Sequence, residues 1–223
     1  MRLKDRIALV TGSAAGIGLA VAKLFAEEGA HVYITDVDGA GAAKAAAAVT
    51  AAGHRATAMT VDVSRGQDVS ALMRTIEQQH RRLDAVVNNA GINVRTDFRN
   101  MSDADWVKLR EVNIDGIVRI ARDAFPLMKA SGSASLVNLA SIMGHRGMRT
   151  LAAYGATKGA ISALTERVLR VKAFSDALIE QTPLKRFGTP EDVAQAALFL
   201  ASVESAFITG AEIAVDGGMG AGL

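Results

Sequence analysis

The 223-residue sequence has no cysteine, only three prolines, and aromatic residues at 4% of its positions. Without cysteine the chain forms no disulfide and has no thiolate chemistry, which is compatible with a reducing cytoplasm. No apolar run is long enough to span a bilayer, and the first residues lead into a strand-like run without the apolar core of a signal peptide. We therefore expect a cytoplasmic protein with no membrane partner.

Neither basic nor acidic residues are in large excess, because 25 basic and 23 acidic residues leave a net charge of +2. No basic run resembles a nucleic-acid-binding stripe, and the four histidines are scattered without the spacing of metal ligands. We expect neither a nucleic-acid partner nor a metal. Half the residues are hydrophobic and 22% are charged, which indicates a soluble globular chain with one α/β domain over residues 1–223.

The first forty residues predict a βαβ unit with a glycine-rich turn. Its first strand is predicted at Arg6–Thr11, and the turn follows in TGSAAGIG (11–18), with Gly12, Gly16 and Gly18. The helix is predicted at Leu19–Glu28, closed by Gly29, and the second strand at His31–Asp36. Such glycines allow a tight turn and let backbone approach a pyrophosphate, whose charge the positive helix N-terminus stabilises. A glycine motif alone is weak evidence, but this one has the right strand-to-helix context.

Asp36 ends the second predicted strand, eighteen residues after Gly18. A carboxylate at this position accepts hydrogen bonds from both hydroxyls of an adenosine ribose and repels a 2′-phosphate. Because no arginine or lysine stands beside it in Thr35–Asp38, NAD is favoured over NADP. The alternative interpretation is that Asp36 is an ordinary turn aspartate at a strand end, with no role in binding a cofactor.

The rest of the chain continues to alternate strands and helices. Further strands are predicted at Ala56–Asp62, Leu83–Asn88, Ser135–Ala140 and Ile213–Val215, and helices at Ala40–Ala52, Gln67–Arg81, Ser102–Phe125 and Ala152–Arg170. Ser102 and Thr189 are predicted helix N-caps, the latter with Pro190 at the first helical position. The turn at 88–91 (NNAG) and Ser141 follow strands, at the sheet edge where open α/β folds bind ligands. Asn113 lies inside a helix, where it is either exposed or hydrogen-bonded for a purpose.

Tyr154 and Lys158 share one helix face because they are four residues apart. A nearby cation favours a phenolate, so Lys158 is expected to lower the pKa of Tyr154 from its ordinary ~10. Ser141, thirteen residues before the tyrosine, could donate a hydrogen bond to a reacting oxygen. An ordinary surface Tyr and Lys would show the same spacing, so this motif alone does not establish a catalytic pair.

Taken together, these motifs resemble the classical short-chain dehydrogenase/reductase family. TGSAAGIG, Asp36, Asp62-Val63, NNAG, Asn113, Ser141, YGATK at 154–158 and TGAEIAVDGG at 209–218 stand in the family's order over nearly the whole chain. The resemblance implies a Rossmann-like doubly wound parallel sheet with helices on both faces, a nicotinamide cofactor and a homotetramer.

The resemblance also assigns roles to individual residues. Tyr154 would be the general acid/base, Ser141 would orient the substrate oxygen, and Lys158 would lower the tyrosine pKa and bind the nicotinamide ribose. Asn113 would hold a water in the proton relay. The expected cofactor-binding residues are Gly12, Ser13, Gly16, Ile17, Gly18, Asp36, Asp62, Val63, Asn89, Ala90, Gly91, Tyr154 and Lys158.

The sequence departs from the family pattern after the Tyr154 helix. The family has a sixth strand, a Pro-Gly turn and a mobile substrate loop there, whereas this chain is short by roughly two to three dozen residues, far more than the ~4–6 of an ordinary loop. The segment LTERVLR (164–170) could belong either to the helix before this gap or to the part of the chain after it. We expect the sixth strand and the substrate loop to be missing, because a segment near residues 163–174 is omitted from this sequence. If Arg170 instead truly joins Val171, the Tyr154 helix should continue into Val171–Gln181.

The preferred function is an NAD-dependent oxidoreductase that interconverts a secondary alcohol and a ketone, both small molecules. Two alternatives stay open. A cofactor-binding protein with little turnover would explain the incomplete substrate wall, and an NADP-dependent 3-oxoacyl reductase is disfavoured by Asp36. The sequence does not identify the alcohol.

Overall fold

The computed structural model of the protein describes residues 1–145, 149–164, 168–169, 182–186, 188–209 and 211–221. Its strands are β1 (Ile7–Thr11), β2 (His31–Asp36), β3 (Arg55–Thr60), β4 (Ala85–Asn88), β5 (Ser135–Leu139) and β6 (Val168–Leu169). They form one parallel sheet in the order β3-β2-β1-β4-β5-β6. The order reverses between β1 and β4, and ligands bind outside the carboxyl ends of strands at such a switch point.

Helices cover both faces of the sheet, as the alternating pattern of strands and helices predicts. They are α1 (Gly16–Glu27), α2 (Gly39–Ala51), α3 (Gly66–His80), α4 (Asp103–Arg110), α5 (Gly116–Ser131), α6 (Ala152–Leu164) and α7 (Pro190–Ala201). Alternate strand residues point to opposite faces. In β1, Ala8 and Val10 pack under α1, α2 and α7, whereas Ile7 and Leu9 pack under α3 and α5. The Rossmann-like sheet with two helical layers is therefore confirmed.

The described helices include none that is both long enough and apolar enough to cross a bilayer.

The predicted helix Ser102–Phe125 is two helices joined by a π-helical turn at Glu111–Asp115. Ser102 caps α4 as predicted, because its hydroxyl accepts the N–H of Asp105 at 3.1 Å. α5 runs past Phe125 to Ser131 and ends at Gly132, whose φ is +73°. The π turn carries Asn113, which explains how a poor helix former is accommodated at this position.

The expected absence of a sixth strand is wrong. The predicted helix Ala152–Arg170 ends at Leu164, and β6 pairs in parallel with β5, with Val168 opposite Asn138 and Leu169 opposite Leu139. Pairing satisfies backbone groups of β5 that a longer helix would have left without partners. The predicted helical stretch Val171–Gln181 lies outside the described residues.

Near the chain's end, one expectation fails and another is confirmed. A strand was expected at Ile213–Val215, but of these residues only Ile213 forms an isolated bridge. Thr189 caps α7 as predicted, in a capping box with Asp192, and Pro190 occupies the first helical position.

Candidate active site

The glycine turn packs directly against the turn that follows β4. Gly12 and Gly16 have φ values of +63° and +57°, which side chains rarely adopt. A Cβ on Gly12 would lie 2.8 Å from the Cα of Ala90, and one on Gly18 would lie 2.3 Å from the Gly12 carbonyl oxygen. Larger residues would therefore separate the two turns, which explains the glycines at these positions.

Side-chain hydrogen bonds hold the same two turns together. The Asn89 Nδ2 group donates to the carbonyl oxygens of Thr11, at 3.0 Å, and Gly12, at 2.7 Å. The Thr11 Oγ1 atom accepts the backbone N–H groups of Asn89 and Ala90, each at 3.1 Å. Sequence reasoning missed Thr11. Its position immediately before the glycine turn, at the end of a central strand, was the available signal.

The N-terminus of α1 is open to a ligand. Ala15 occupies the cap position and provides no side-chain hydrogen bond, and a Cβ on Gly16 would meet no atom within 4 Å. Uncapped N–H groups at a helix start are the usual site for a phosphate. The Ser13 hydroxyl, in contrast, is buried and hydrogen-bonds the Val10 carbonyl and the Thr35 N–H, so only the Ser13 backbone could face a cofactor. Ile17 is half-buried against the core.

A cavity of about 520 Å³ opens beside the glycine turn. It is lined by Gly12, Asp36, Asp62, Val63, Asn89, Ala90 and Gly91, together with Val37, Val61, Ser64, Ile92, Lys108, Glu111 and Val112. The Asp36 carboxylate accepts the N–H groups of Ala14, at 3.1 Å, and Asp38, at 3.0 Å. A fixed carboxylate, an apolar wall and an open helix start suit a dinucleotide, so the residues present fit the expected cofactor.

Asn113 is fully buried and joins three parts of the site. Its Oδ1 atom accepts the Ile92 N–H at 2.8 Å, and its Nδ2 group donates to the Ile92 carbonyl at 3.0 Å and to Thr157 Oγ1 at 3.1 Å. Thr157 in turn donates to the Tyr154 carbonyl at 2.8 Å. The side chain therefore positions the loop after β4 against α6. Thr157 was also missed, although it stands inside the YGATK motif.

Ser141 and Tyr154 meet beyond the carboxyl end of β5. Ser141 is buried just past β5, and its side chain hydrogen-bonds the Tyr154 phenol in the first turn of α6. The expected lowering of the Tyr154 pKa is wrong for this structure. Burial raises the pKa above its ordinary value, and the Ser141 hydrogen bond offsets this only in part.

Lys158 is buried under the tyrosine, not exposed on the helix surface. Its Nζ group donates to the Leu139 carbonyl at 2.8 Å and lies 5.8 Å from the centroid of the Tyr154 ring. Burial lowers the pKa of Lys158 to about 8. Gly91 lines the cavity, and a Cβ on it would lie 3.5 Å from Nζ, so the amine lies close behind the cavity wall. Lys158 is thus near both the cavity and Tyr154.

The structure brings together all four predicted catalytic residues at the carboxyl edge of β4 and β5. Asn113, Ser141, Tyr154 and Lys158 are linked through Thr157, Ile92 and Leu139. Among the described residues, no three His, Asp or Glu side chains are arranged to hold a metal ion. The loop after Ser141 is described to His145, and residues 146–148 lie outside the described part.

This fold and site suit a dinucleotide, and comparisons with known proteins show the family. A family model described as "short chain dehydrogenase" matches residues 6–173, and a second, described as "Enoyl-(Acyl carrier protein) reductase", matches residues 166–220. The chain therefore belongs to the short-chain dehydrogenase/reductase family, and it is an oxidoreductase that acts on CH–OH groups.

The relatives include dehydrogenases and reductases. 2-(S)-hydroxypropyl-CoM dehydrogenase 3 of Xanthobacter autotrophicus is 36% identical over 252 residues, covering 98% of each chain. The 3-oxoacyl-(acyl-carrier-protein) reductase of Chlamydia trachomatis is 35% identical over 243 residues, covering 97% of this chain and 98% of its own. The crystal structure of a gluconate 5-dehydrogenase from Burkholderia cenocepacia, in complex with NADP and tartrate, aligns with a TM-score of 0.93 at 33% identity, covering 100% of this chain and 98% of that one.

The Xanthobacter comparison supports the expectation that this chain is short. Its 252 aligned positions exceed the 223 residues present, so at least 29 positions, the difference between the two, have no residue in this chain. The two family models overlap at residues 166–173, within the stretch where the sequence predicts the gap.

Replacing the buried Lys158 by Met should stabilise the free protein while abolishing activity. The unfolded chain binds a proton with a pKa of 10.5, and the folded protein with a pKa of about 8. This difference corresponds to a penalty of about 3 kcal/mol below pH 8. Because the penalty disappears as the pH rises from 8 to 10.5, the wild type should gain stability over this range relative to Lys158→Met.

Urea unfolding of both proteins at pH 7 and at pH 9.5 measures this difference. Lys44→Met, which changes an exposed lysine on α2, is the matched control and should show no such pH dependence. A Lys158→Met variant that is less stable than the wild type at pH 7 would contradict the buried, destabilising amine.

Proposed function

We propose that the protein is an NAD-dependent oxidoreductase that interconverts a secondary alcohol and a ketone. The observation that carries this proposal is the hydrogen bond between Ser141 and Tyr154, with Lys158 buried beside the tyrosine and close behind the cavity wall at Gly91. A bound nicotinamide would supply hydride chemistry. The protein must then orient one oxygen and move one proton.

Tyr154 is the general acid/base of this proposal. Its raised pKa keeps the phenol protonated at neutral pH in the free protein, which suits a proton donor to a ketone oxygen. Ser141 donates a second hydrogen bond to the same oxygen, because its hydrogen bond to the phenol keeps the two hydroxyl groups close together. With a pKa of about 8, Lys158 is mainly charged at pH 7, so it favours the phenolate that forms when the proton leaves.

The proposed cofactor preference rests on Asp36. Its carboxylate is fixed by two backbone N–H groups and lines the cavity, so a 2′-phosphate placed beside it would be repelled by its negative charge. The crystal structure with NADP and the 3-oxoacyl reductase favour a second candidate, an NADP-dependent 3-oxoacyl reductase. Three acidic side chains line the cavity, Asp36, Asp62 and Glu111, and we assign discrimination between the two cofactors to Asp36. Location in the cytoplasm stays an expectation from the cysteine-free sequence.

Tyr154→Phe tests the catalytic assignment. We expect turnover to fall by ~10²–10⁴, the range typical of general acid–base catalysis, with NAD binding retained. The chain has one other tyrosine, Tyr33, which is buried and donates to Gln79, so Tyr33→Phe is a matched control. NAD reduction against a panel of secondary alcohols measures both variants. Near-wild-type turnover in Tyr154→Phe would refute the role, and a wild type that binds NAD but reduces none would support the low-turnover binder.

Asp36→Ala tests the cofactor assignment. The wild type should use NAD at least ~10-fold better than NADP, and the variant should lose both NAD affinity and this preference, because the repulsive carboxylate is gone. Asp38→Asn is the control, since asparagine also caps α2 while removing a neighbouring charge. The measurement is the ratio of kcat/KM for the two cofactors. Equal use of both cofactors by the wild type would leave the NADP-dependent reductase as the better candidate.

We also propose that the chain assembles as a homotetramer. α5 leaves Val118 and Phe125 exposed, at 41% and 64% of their surface, on a helix whose other face is in the core. Paired helices across a two-fold axis would cover these side chains. Light scattering at micromolar concentration should give about four times the 23.3 kDa chain mass, and Phe125→Lys should lower it. Asp123→Lys, two residues away, changes charge on the same helix without removing apolar area. A monomeric wild type would exclude this assembly.

A further inference from the structure

The hydroxyl of Thr157 connects the helix that carries Tyr154 to Asn113. Thr157 is fully buried in α6, three residues after Tyr154 and next to Lys158. Its Oγ1 atom lies 2.8 Å from the Tyr154 carbonyl oxygen and 3.1 Å from Asn113 Nδ2. A carbonyl oxygen only accepts hydrogen bonds, so the hydroxyl proton points to Tyr154 and the hydroxyl oxygen accepts a proton of Asn113. The direction of both hydrogen bonds is therefore fixed.

The rest of the Asn113 amide is bonded to Ile92. Its Oδ1 atom accepts the Ile92 N–H at 2.8 Å, and one proton of its Nδ2 group goes to the Ile92 carbonyl at 3.0 Å. The second Nδ2 proton goes to Thr157. Without the hydroxyl this proton would be buried and unpaired, because the Asn113 side chain is fully buried. Thr157 thus completes the amide that joins the loop after β4 to α6.

The same amide lies close behind the cavity wall at Gly91. A Cβ on Gly91 would lie 3.4 Å from Asn113 Oδ1 and 3.5 Å from Lys158 Nζ, so both atoms approach one point of this wall. The hydrogen bonds of Asn113 and Thr157 therefore run from the wall to the backbone of Tyr154. Movement of α6 relative to this chain of hydrogen bonds would change the distance from the phenol to the cavity.

We propose that Thr157 is a positioning residue, whose hydroxyl holds Tyr154 at a fixed distance from the cofactor cavity through Asn113. This inference rests on the proposed function. Thr157 is not among the described residues that line the cavity, so it acts through its two partners. The hydroxyl carries the role, because Oγ1 makes both contacts. Proton transfer needs the phenol at hydrogen-bond distance from the substrate oxygen, and a misplacement of about 1 Å can cost ~100-fold in rate.

Two substitutions separate the hydroxyl of Thr157 from the shape of its side chain, since Thr157→Val keeps the shape and Thr157→Ser keeps the hydroxyl. The substrate is the alcohol of the panel that the wild type oxidises fastest. We expect Thr157→Val to lower kcat by roughly 10–100-fold with little change in KM, and Thr157→Ser to retain most of the wild-type kcat. The apparent pKa of alcohol oxidation should rise in Thr157→Val, because a displaced phenol is stabilised less as phenolate by Ser141 and Lys158.

A double-mutant cycle tests whether Thr157 acts through Asn113. The kcat of Asn113→Ala/Thr157→Val should be close to that of Asn113→Ala, because the hydrogen bond between the two side chains is already lost in the single variant. Thr75→Val is the matched control, since it removes a helical hydroxyl that bonds the Ala71 carbonyl in α3, at 3.1 Å, and it should leave kcat and the pH profile unchanged. Thr157→Ala, which also lacks the hydroxyl, replaces Thr157→Val if the valine variant does not fold.

Hydrogen exchange provides a readout that does not depend on turnover. Mass spectrometry of a peptide that contains Ile92 should show faster exchange in Thr157→Val than in the wild type or Thr75→Val, because Asn113 holds the Ile92 N–H. Wild-type kcat in Thr157→Val, a change in KM alone, or additive losses in the double-mutant cycle would overturn the assignment while leaving the proposed function intact. A wild type that oxidises no alcohol would instead contradict the proposed function, and unchanged exchange at Ile92 would then overturn the positioning role by itself.

Discussion

The buried amide of Asn113 is the interaction on which the arrangement of the site depends. Its Oδ1 and Nδ2 atoms bond both backbone groups of Ile92 and, through Thr157, the first turns of α6. The π turn is what points this side chain inward, since it interrupts the regular helix between α4 and α5. One amide thus fixes the distance between the loop after β4, which borders the cofactor cavity, and the helix that carries Tyr154 and Lys158. Because every polar atom of this amide is used, removing it would leave buried donors and acceptors unpaired.

Burial governs the electrostatics of the same site. Both ionisable groups of the YGATK motif are pushed toward their neutral forms, Tyr154 by a raised pKa and Lys158 by a pKa lowered to about 8. On an exposed helix the cation would lower the pKa of the phenol. Here the desolvation of each group outweighs their mutual attraction, and the Lys158 amine donates a hydrogen bond to the Leu139 carbonyl. The protein therefore stores an unfavourable charge next to the cofactor cavity, where a bound ligand can stabilise it.

Local patterns in the sequence predicted most of the fold, and contacts between distant residues account for the rest. The glycine turn, the first five strands and the caps at Ser102 and Thr189 follow from nearest-neighbour chemistry, so the sequence was sufficient for them. The pKa of Tyr154 depends on burial by several elements, and the ends of α5 and α6 depend on packing, so they were mispredicted. Thr11 and Thr157 escaped notice because a threonine is ordinary at a strand end or in a helix. Their role becomes visible only when partners 78 and 44 residues away are in contact.

β6 shows which part of the sheet a shortened chain retains. The chain lacks at least 29 of the positions in its alignment with the Xanthobacter dehydrogenase, yet Val168 and Leu169 still pair with Asn138 and Leu139. These two residues of β5 immediately precede Ala140 and Ser141, and the Leu139 carbonyl is the acceptor for Lys158. A strand of two residues is short for a sheet, but it pairs with the part of β5 whose backbone leads to Ser141 and binds the amine of Lys158.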